Sequence, residues 1–331
     1  MQYPVMYVVG TVLTFILTVV FAHFLIPVLA SKKMGQKILE IGPRWHKNKE
    51  GTPTMGGITF IAASVLCGAA MCVFIALREG TAAAAPLIMT LAMALASGLI
   101  GIIDDRAKLR KQQNEGLTSS QKFLLQLLLS GLYLLGMRLI GAIDTVLRIP
   151  YTSVNIELGI FYYVIALLLL CGIMNSVNLT DGIDGLASSV TSVVALFFGA
   201  AAFFAGKTDP ALAAVSALML GSCTGFLVYN FYPARVFMGD TGSLFLGGLT
   251  VGAAFLAKNP LIIVVCGLVY ICETASVMLQ VGYFKLTHGK RLFKMSPIHH
   301  HFEQCGWSEI KIVTVFTFAT VLFCVAAWFG L

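Results

Sequence analysis

About ten stretches of mostly apolar residues divide this chain, and at roughly 20 residues each is long enough to cross the hydrocarbon layer of a bilayer. In that layer only helices or closed barrels satisfy every backbone N–H and C=O, and these stretches are too long for barrel strands. The expected fold class is therefore all-α, a polytopic membrane protein with about ten transmembrane helices. The spans read as Val5 to Leu29, Gly56 to Leu77, Ala82 to Ile103, Phe123 to Ile143, Leu158 to Met174, Leu186 to Gly206, Ala211 to Phe231, Leu244 to Ala257, Leu261 to Phe284 and Ile312 to Leu331, the eighth being short. Only 11% of the residues are charged, against roughly 25% in a soluble domain. No basic segment precedes the first span and no small-residue cleavage site follows it, so it is expected to be retained.

Seventeen of the 22 Lys and Arg fall on one side of these spans, in the connections around Ser31 to Met55, Asp104 to Lys122 and Lys285 to Lys311 and at Arg235. The other side holds five: Arg78, Arg138, Arg148, Lys207 and Lys258. Short loops rich in Lys and Arg stay in the cytoplasm, so the rich side is expected to be cytoplasmic and both termini outside. The net charge of +7 then belongs to one face, suited to anionic headgroups or a phosphorylated substrate; no nucleic acid partner is expected. Seven of the eight cysteines fall in or at the ends of spans and none has CxxC spacing, so neither disulfides nor a thiolate metal site is expected. No linker separates domains, and residues 1–331 read as one membrane unit. The alanines of Thr81 to Pro86 read as a turn between spans, and the alternation of Val154, Ile156 and Leu158 after Pro150 to Ser153 allows a small hairpin.

Polar motifs gather where the spans meet the expected cytoplasmic face. Asp104 and Asp105 close the third span, with Lys108 one turn on. The fifth runs into Asn175, Asn178, Asp181-Gly182 and Asp184-Gly185; the seventh is followed by Asn230, Arg235, Phe237 and Gly239 to Ser243; the ninth leads to His299-His300-His301-Phe302-Glu303. Ionisable groups at a bilayer edge are costly unless paired or functional, and five aspartates (Asp104, Asp105, Asp181, Asp184, Asp240) stand there. Clustered carboxylates repel unless a cation intervenes. Oxygen ligands in a partly open site suit Mg²⁺, which keeps several waters and shares its shell with substrate phosphates.

Singly, each motif has an ordinary explanation. Asp104, Asp105 and Lys108 are spaced for a helix-surface ion pair, Asp-Gly pairs make turns, and Asn175 and Asn178 can cap a helix end. Three consecutive histidines cannot reach one centre from a regular helix. No HExxH pattern accompanies them and Cys305 is the only nearby thiol, so phosphate or nucleotide contact is expected there rather than zinc. Glu273 and Gln280, seven apart in the ninth span, share a helix face, which serves a structural hydrogen bond or a substrate equally well. His23 reads as a packing residue, His46 and His288 as loop residues.

Five blocks in order resemble the phospho-N-acetylmuramoyl-pentapeptide transferase family, within the polyprenyl-phosphate N-acetylhexosamine-1-phosphate transferase superfamily: Thr52 to Gly57, Asp104-Asp105 with Lys108, Asn175 to Leu186, Phe237 to Ser243 and Pro297 to Glu303. The resemblance implies transfer of phospho-N-acetylmuramoyl-pentapeptide from its UDP-linked precursor to undecaprenyl phosphate, giving lipid I and UMP at the cytoplasmic face of a bacterial membrane, with Mg²⁺ as cofactor. It implies that Asp104 and Asp105 are a catalytic pair, that Asp240 is the metal ligand, and that Lys108 and the segment His299, His300 and His301 hold pyrophosphate oxygens, with His299 catalytic. It implies a nucleoside pocket around Asp181, Gly182, Asp184, Asn230 and Phe237, the Phe237 ring stacking on uracil and Asp184 meeting its polar edge, and substrate contacts at Asn175, Asn178 and Gln280. It leaves open a homodimer, either aspartate of the pair as base, and a direct or a covalent route. A sister transferase passing GlcNAc-1-phosphate is the rival within the class; Thr52 to Gly57 and His299 to Phe302 favour the muramoyl enzyme. A secondary transporter would instead place its ionisable groups near the midplane.

Overall fold

Runs of about 20 apolar residues, whose backbone a bilayer satisfies within the segment only as a helix, turn most of this chain helical. The computed structural model describes residues 2–31, 49, 51–111, 116–206 and 208–331. His46 and the basic residues Lys32, Lys33, Lys37, Arg44, Lys47 and Lys207 lie outside the described residues. In chain order the elements are α1 (Gln2–Ser31), α2 (Gly57–Glu79), α3 (Thr81–Lys111), α4 (Ser119–Leu139), β1 (Val146–Arg148), β2 (Asn155–Glu157), α5 (Ile160–Thr180), α6 (Leu186–Phe204), α7 (Pro210–Asn230), α8 (Gly239–Leu256), α9 (Ile262–Cys266), α10 (Leu268–Leu286), α11 (Ile298–Gln304) and α12 (Glu309–Trp328). Their starts are specified locally. Thr118 and Gln121 form a capping box before α4, and Asp209 caps α7 with Pro210 following.

Among the described residues, eight helices are long and apolar enough to cross a membrane: α1 to α7 and α12. The two other expected spans fall on α8 and on α9 with α10. Every residue of α8 from Thr241 to Leu256 is buried inside the protein, so its glycines, threonines and serine meet other helices rather than lipid. Its 18 residues rise about 27 Å. The stretch read as Leu261 to Phe284 breaks at Gly267, which ends α9 and begins α10.

The core is built around α8, packed chiefly against α3 and α5. Small residues allow that approach. A methyl group on Gly101 of α3 would strike the main chain of Asp240 and Thr241, and one on Gly247 the main chain of Met174. By contrast α1 turns Val5, Val8, Val12, Ile16 and Phe24 outward, as a lipid-facing helix does, and packs its other side on α7.

Two local expectations are revised. The helix expected to stop at Ile103 continues to Lys111, so Asp104, Asp105 and Lys108 ride on α3. The alanines of Thr81 to Pro86 do not form a turn: Gly80, at φ 90°, turns the chain alone, and they open α3. Alanine is the best helix former, and a proline this near the start forfeits few backbone bonds. The hairpin is present, with Leu147 opposite Ile156.

Candidate active site

At one end of the bundle the last turns of α3 and α5 meet the first turns of α4 and α8. The first N–H groups of a helix have no partner within it and carry its positive end. For α8 that partner comes from another helix. The buried Asp105 accepts from Asp240 N at 3.1 Å through Oδ1, and from Thr241 N at 2.9 Å and Thr241 Oγ1 at 2.7 Å through Oδ2. Both of its oxygens are thus spent on the turn that presents Asp240.

Asp240 Oδ1 accepts from Asn178 Nδ2 at 2.8 Å, and Oδ2 accepts from Lys108 Nζ at 2.9 Å and Lys122 Nζ at 2.8 Å. Asp104, also buried, accepts from Lys108 Nζ at 2.7 Å and from Leu117 N at 2.7 Å. One carboxylate oxygen from each of Asp104, Asp105 and Asp240 lies within 4.8 Å of the others. Three carboxylates therefore face two ammonium groups. Burial and the neighbouring charges of Asp240, Asp105 and Asp184 push the Asp181 carboxyl well above the usual carboxylate range. This all-oxygen triad, partly open at Asp240 and short of positive charge, can hold a divalent metal ion.

The other expected site residues divide by what they touch. Asn178 also donates to Ser243 Oγ at 2.7 Å. Asn175 pairs its amide with Gln126, at 2.6 and 3.3 Å. Asn230 is a buried clip, accepting from Gly185 N at 3.2 Å and donating to Val236 O at 3.0 Å. Asp184 accepts from Lys49 Nζ at 2.6 Å and from Ala234 N at 2.9 Å, and Lys49 reaches Glu309 at 2.6 Å. Phe237, half-buried, is fixed by its main chain, with its N donating to Pro53 O and its O accepting from Gly56 N. That contact brings the Thr52 to Gly57 block against the turn before α8.

The three histidines lie on the short helix α11 and take separate partners. His299 is fully buried with Nδ1 3.0 Å from Glu273 Oε2. Its Nε2 has no hydrogen-bond partner among the described residues and lies over Gly182, where a methyl group would overlap the imidazole. His300 Nδ1 is 2.6 Å from Glu303 Oε2, and His301 Nδ1 accepts from Lys294 N at 3.2 Å. Gln280 Oε1 accepts from Leu292 N at 3.1 Å and Phe293 N at 2.8 Å, anchoring the loop before α11. Glu273 and Gln280, read as one helix face, thus both hold the histidine segment.

Sequence reasoning passed over Lys122, Thr241, Gln126, Lys49 and Glu309 as site residues. Lys122 counted only toward topology, although the Thr118-x-x-Gln121 pattern starts a helix just before it. Lys49 and Glu309 sit 260 positions apart, and no local pattern joins them.

A bundle whose buried carboxylates and lysines converge at one end defines a class: residues 87–258 match the model of glycosyl transferase family 4. The chain is 45% identical over 324 residues to a phospho-N-acetylmuramoyl-pentapeptide-transferase of Clostridium perfringens (strain SM101 / Type A), covering 98% of this chain and 96% of that one. It is 43% identical to proteins of the same name from Listeria monocytogenes serotype 4b (strain CLIP80459), over 91% of each chain, and from Staphylococcus aureus (strain bovine RF122 / ET3-1), over 93% of this chain and 94% of that one. The chain belongs to the phospho-N-acetylmuramoyl-pentapeptide transferase family.

Proposed function

We propose that this protein transfers phospho-N-acetylmuramoyl-pentapeptide from its UDP-linked precursor to undecaprenyl phosphate, releasing UMP and forming lipid I, at the cytoplasmic face of a bacterial inner membrane. The observation that carries this reading is the convergence of Asp104, Asp105 and Asp240 with Lys108 and Lys122 in a chain 45% identical to a transferase of that name. In the transfer an oxygen of the lipid phosphate bonds to the phosphorus attached to the sugar. The bond from that phosphorus to the oxygen bridging to UMP breaks, and UMP leaves with the electron pair. Such chemistry asks the protein for in-line positioning and neutralisation of charge.

We assign the lipid phosphate to Asp104, because Asp105 spends both oxygens on the first turn of α8 whereas Asp104 Oδ2 is held by the partly exposed side chain of Lys108, which can turn to substrate; Asp104 accepts the proton when the phosphate arrives protonated. Asp240, with Asp104 beside it, would hold Mg²⁺, and bound Mg²⁺ supplies positive charge to the phosphate oxygens. Lys108, which bridges Asp104 and Asp240, and Lys122, which pairs with Asp240, turn to the pyrophosphate. His299 is held by Glu273 at Nδ1, and its Nε2, buried against Gly182, is the atom left for substrate once that edge is uncovered; His300 and His301 line the same segment. Asn175, Asn178, Asp181 and Gly182 approach the nucleotide, and Phe237 offers a ring to uracil. Asp184 and Asn230 shape that pocket through the 230–237 turn they hold, and Gln280 through the loop it anchors.

Purified protein given undecaprenyl phosphate and either UDP-N-acetylmuramoyl-pentapeptide or UDP-GlcNAc, with labelled UMP release as the readout, tests the reading. Turnover of the muramoyl substrate that stops on chelation of Mg²⁺ is expected; use of UDP-GlcNAc alone would overturn it.

A further inference from the structure

We propose that the opposite end of the bundle carries a second site, a pocket for a phosphate-class anion formed by Arg138, Arg148 and Lys258. These residues line a cavity of about 170 Å³ together with Asp144, Tyr162 and Phe255. The cavity lies at the end of α4, the start of α5 and the end of α8, whereas the carboxylate cluster sits at the start of α4 and α8. The sequence places only five Lys and Arg on this side of the spans, and three of them meet in one cavity. Topology thins positive charge here; it gives no reason to concentrate what remains.

The charges do not cancel. Arg148 pairs with Asp144, Nη2 to Oδ2 at 2.7 Å and Nη1 to Oδ1 at 3.3 Å, and donates to Lys258 O at 2.9 Å. Burial pushes the Asp144 carboxyl up, but the hydrogen bonds from Arg148 and from Val146 N, 3.2 Å from Oδ1, with the Arg148 and Lys258 charges behind them, bring it below its ordinary value; both its oxygens are engaged by Arg148. Arg138 makes one long hydrogen bond, to Ile143 O at 3.4 Å, and Lys258 forms no ion pair among the described residues. Two cations are left over. Lys258 is moreover held in the left-handed region at φ 56°, a conformation unfavourable for a residue with a Cβ, and Arg148 grips its carbonyl there.

Size and surroundings narrow the ligand. Drug-sized ligands occupy roughly 300–1,000 Å³, so this cavity suits a headgroup-sized anion. The sequence neighbours of its lining residues, Leu139, Ile140, Ile160 and Phe161, are exposed apolar side chains that lipid tails would cover. A phosphodiester headgroup of an anionic lipid and free phosphate share the chemistry that Arg138 and Lys258 would recognise.

The test is thermal unfolding of the full-length, delipidated protein in neutral detergent, titrated separately with short-chain phosphatidylglycerol, short-chain phosphatidylcholine and inorganic phosphate. The cluster at the other end also offers lysines to phosphate, so the readout is the difference between the natural protein and Arg138→Gln/Lys258→Gln. Saturable protection by phosphatidylglycerol is expected, with the half-saturating concentration raised about tenfold or more in the variant, as loss of a charged hydrogen bond requires. Protection by phosphatidylglycerol alone identifies a lipid headgroup; protection by inorganic phosphate, with or without the lipid, identifies a free-anion site. Equal protection by phosphatidylcholine, no protection at all, or an unchanged response in the variant would overturn the proposal. Lys258→Gln alone, at an exposed position, serves if the double variant does not fold, and Arg138→Lys/Lys258→Arg should keep the response.

Discussion

The two ends of this bundle handle charge by opposite means. At the carboxylate end, Asp105 caps a helix that begins 134 residues later, Lys122 reaches Asp240 across 118 residues and Asn178 reaches it across 62. At the other end the pairing of charges is local: Arg148 pairs with Asp144 four residues away, Asp209 caps its own helix three residues on, and Thr145 donates to Glu157 across the hairpin. The long-range bond from Arg148 runs to a main-chain oxygen, that of Lys258, and not to a charge. Local contacts finish a surface. Long-range ones bring groups together that would otherwise repel, and they persist only where the fold overdetermines them; that is where the chemistry of a transferase can be built.

The sharpest way to break this contrast is Asp240→Asn. The amide keeps the volume and the place at the start of α8 but removes the charge that Lys108 and Lys122 converge on. Lipid I synthesis is expected to fall by about 10³-fold, the scale of losing one well-placed electrostatic group, with melting nearly unchanged. Retained activity would remove the cluster from the mechanism.

Asp105→Asn tests whether a cap supplied from another helix is worth more than an ordinary one. Asparagine cannot accept three hydrogen bonds with a single oxygen as the two carboxylate oxygens do. Activity should fall about 10²-fold through a displaced Asp240, and stability by about 2 kcal/mol for a lost buried acceptor. The matched change at the other end, Asp209→Asn, should be close to neutral, because asparagine caps a helix as well as aspartate does. Equal melting losses in the two variants would erase the distinction.

A smaller effect is expected from Glu273→Gln. The amide can still bond His299 Nδ1 but no longer fixes which nitrogen carries the proton. Transfer should slow on the order of tenfold, the worth of one charge-assisted hydrogen bond, and the pH profile should change with it. A profile identical to that of the natural protein would make Glu273 a packing residue.

The same division explains what was legible in the sequence. Span positions, the hairpin around Pro150 to Ser153 and the carboxylate blocks were readable because each is written in neighbouring residues. Hydropathy placed α1 well, since α1 faces outward along much of its length. Over α8 the expected span came out short, Leu244 to Ala257, because the first turn of that helix carries Asp240, Thr241 and Ser243, polar residues that meet protein rather than lipid. That Asp105 serves α8, or that Lys49 joins Asp184 to Glu309, depends on contacts no local pattern encodes. Asp104 and Asp105 look alike in sequence and differ only in which way one turn of α3 points them.

Arg148→Met carries the smallest expected effect and bears on the end where ion pairing is local. The Arg148–Asp144 pair is about half exposed, at 36% and 48%, and exposed pairs contribute at most about 1 kcal/mol, screened further by salt. The substitution should lower melting slightly at low ionic strength, less at high salt, and leave lipid I synthesis as it was, since nothing at this end reaches the carboxylate cluster. Should UMP release fall with it, the two ends are coupled along α8, which runs from Asp240 to the cavity wall at Phe255; the anion pocket would then belong to the regulation of the transfer, and the division drawn between the ends would give way to a single connected machine.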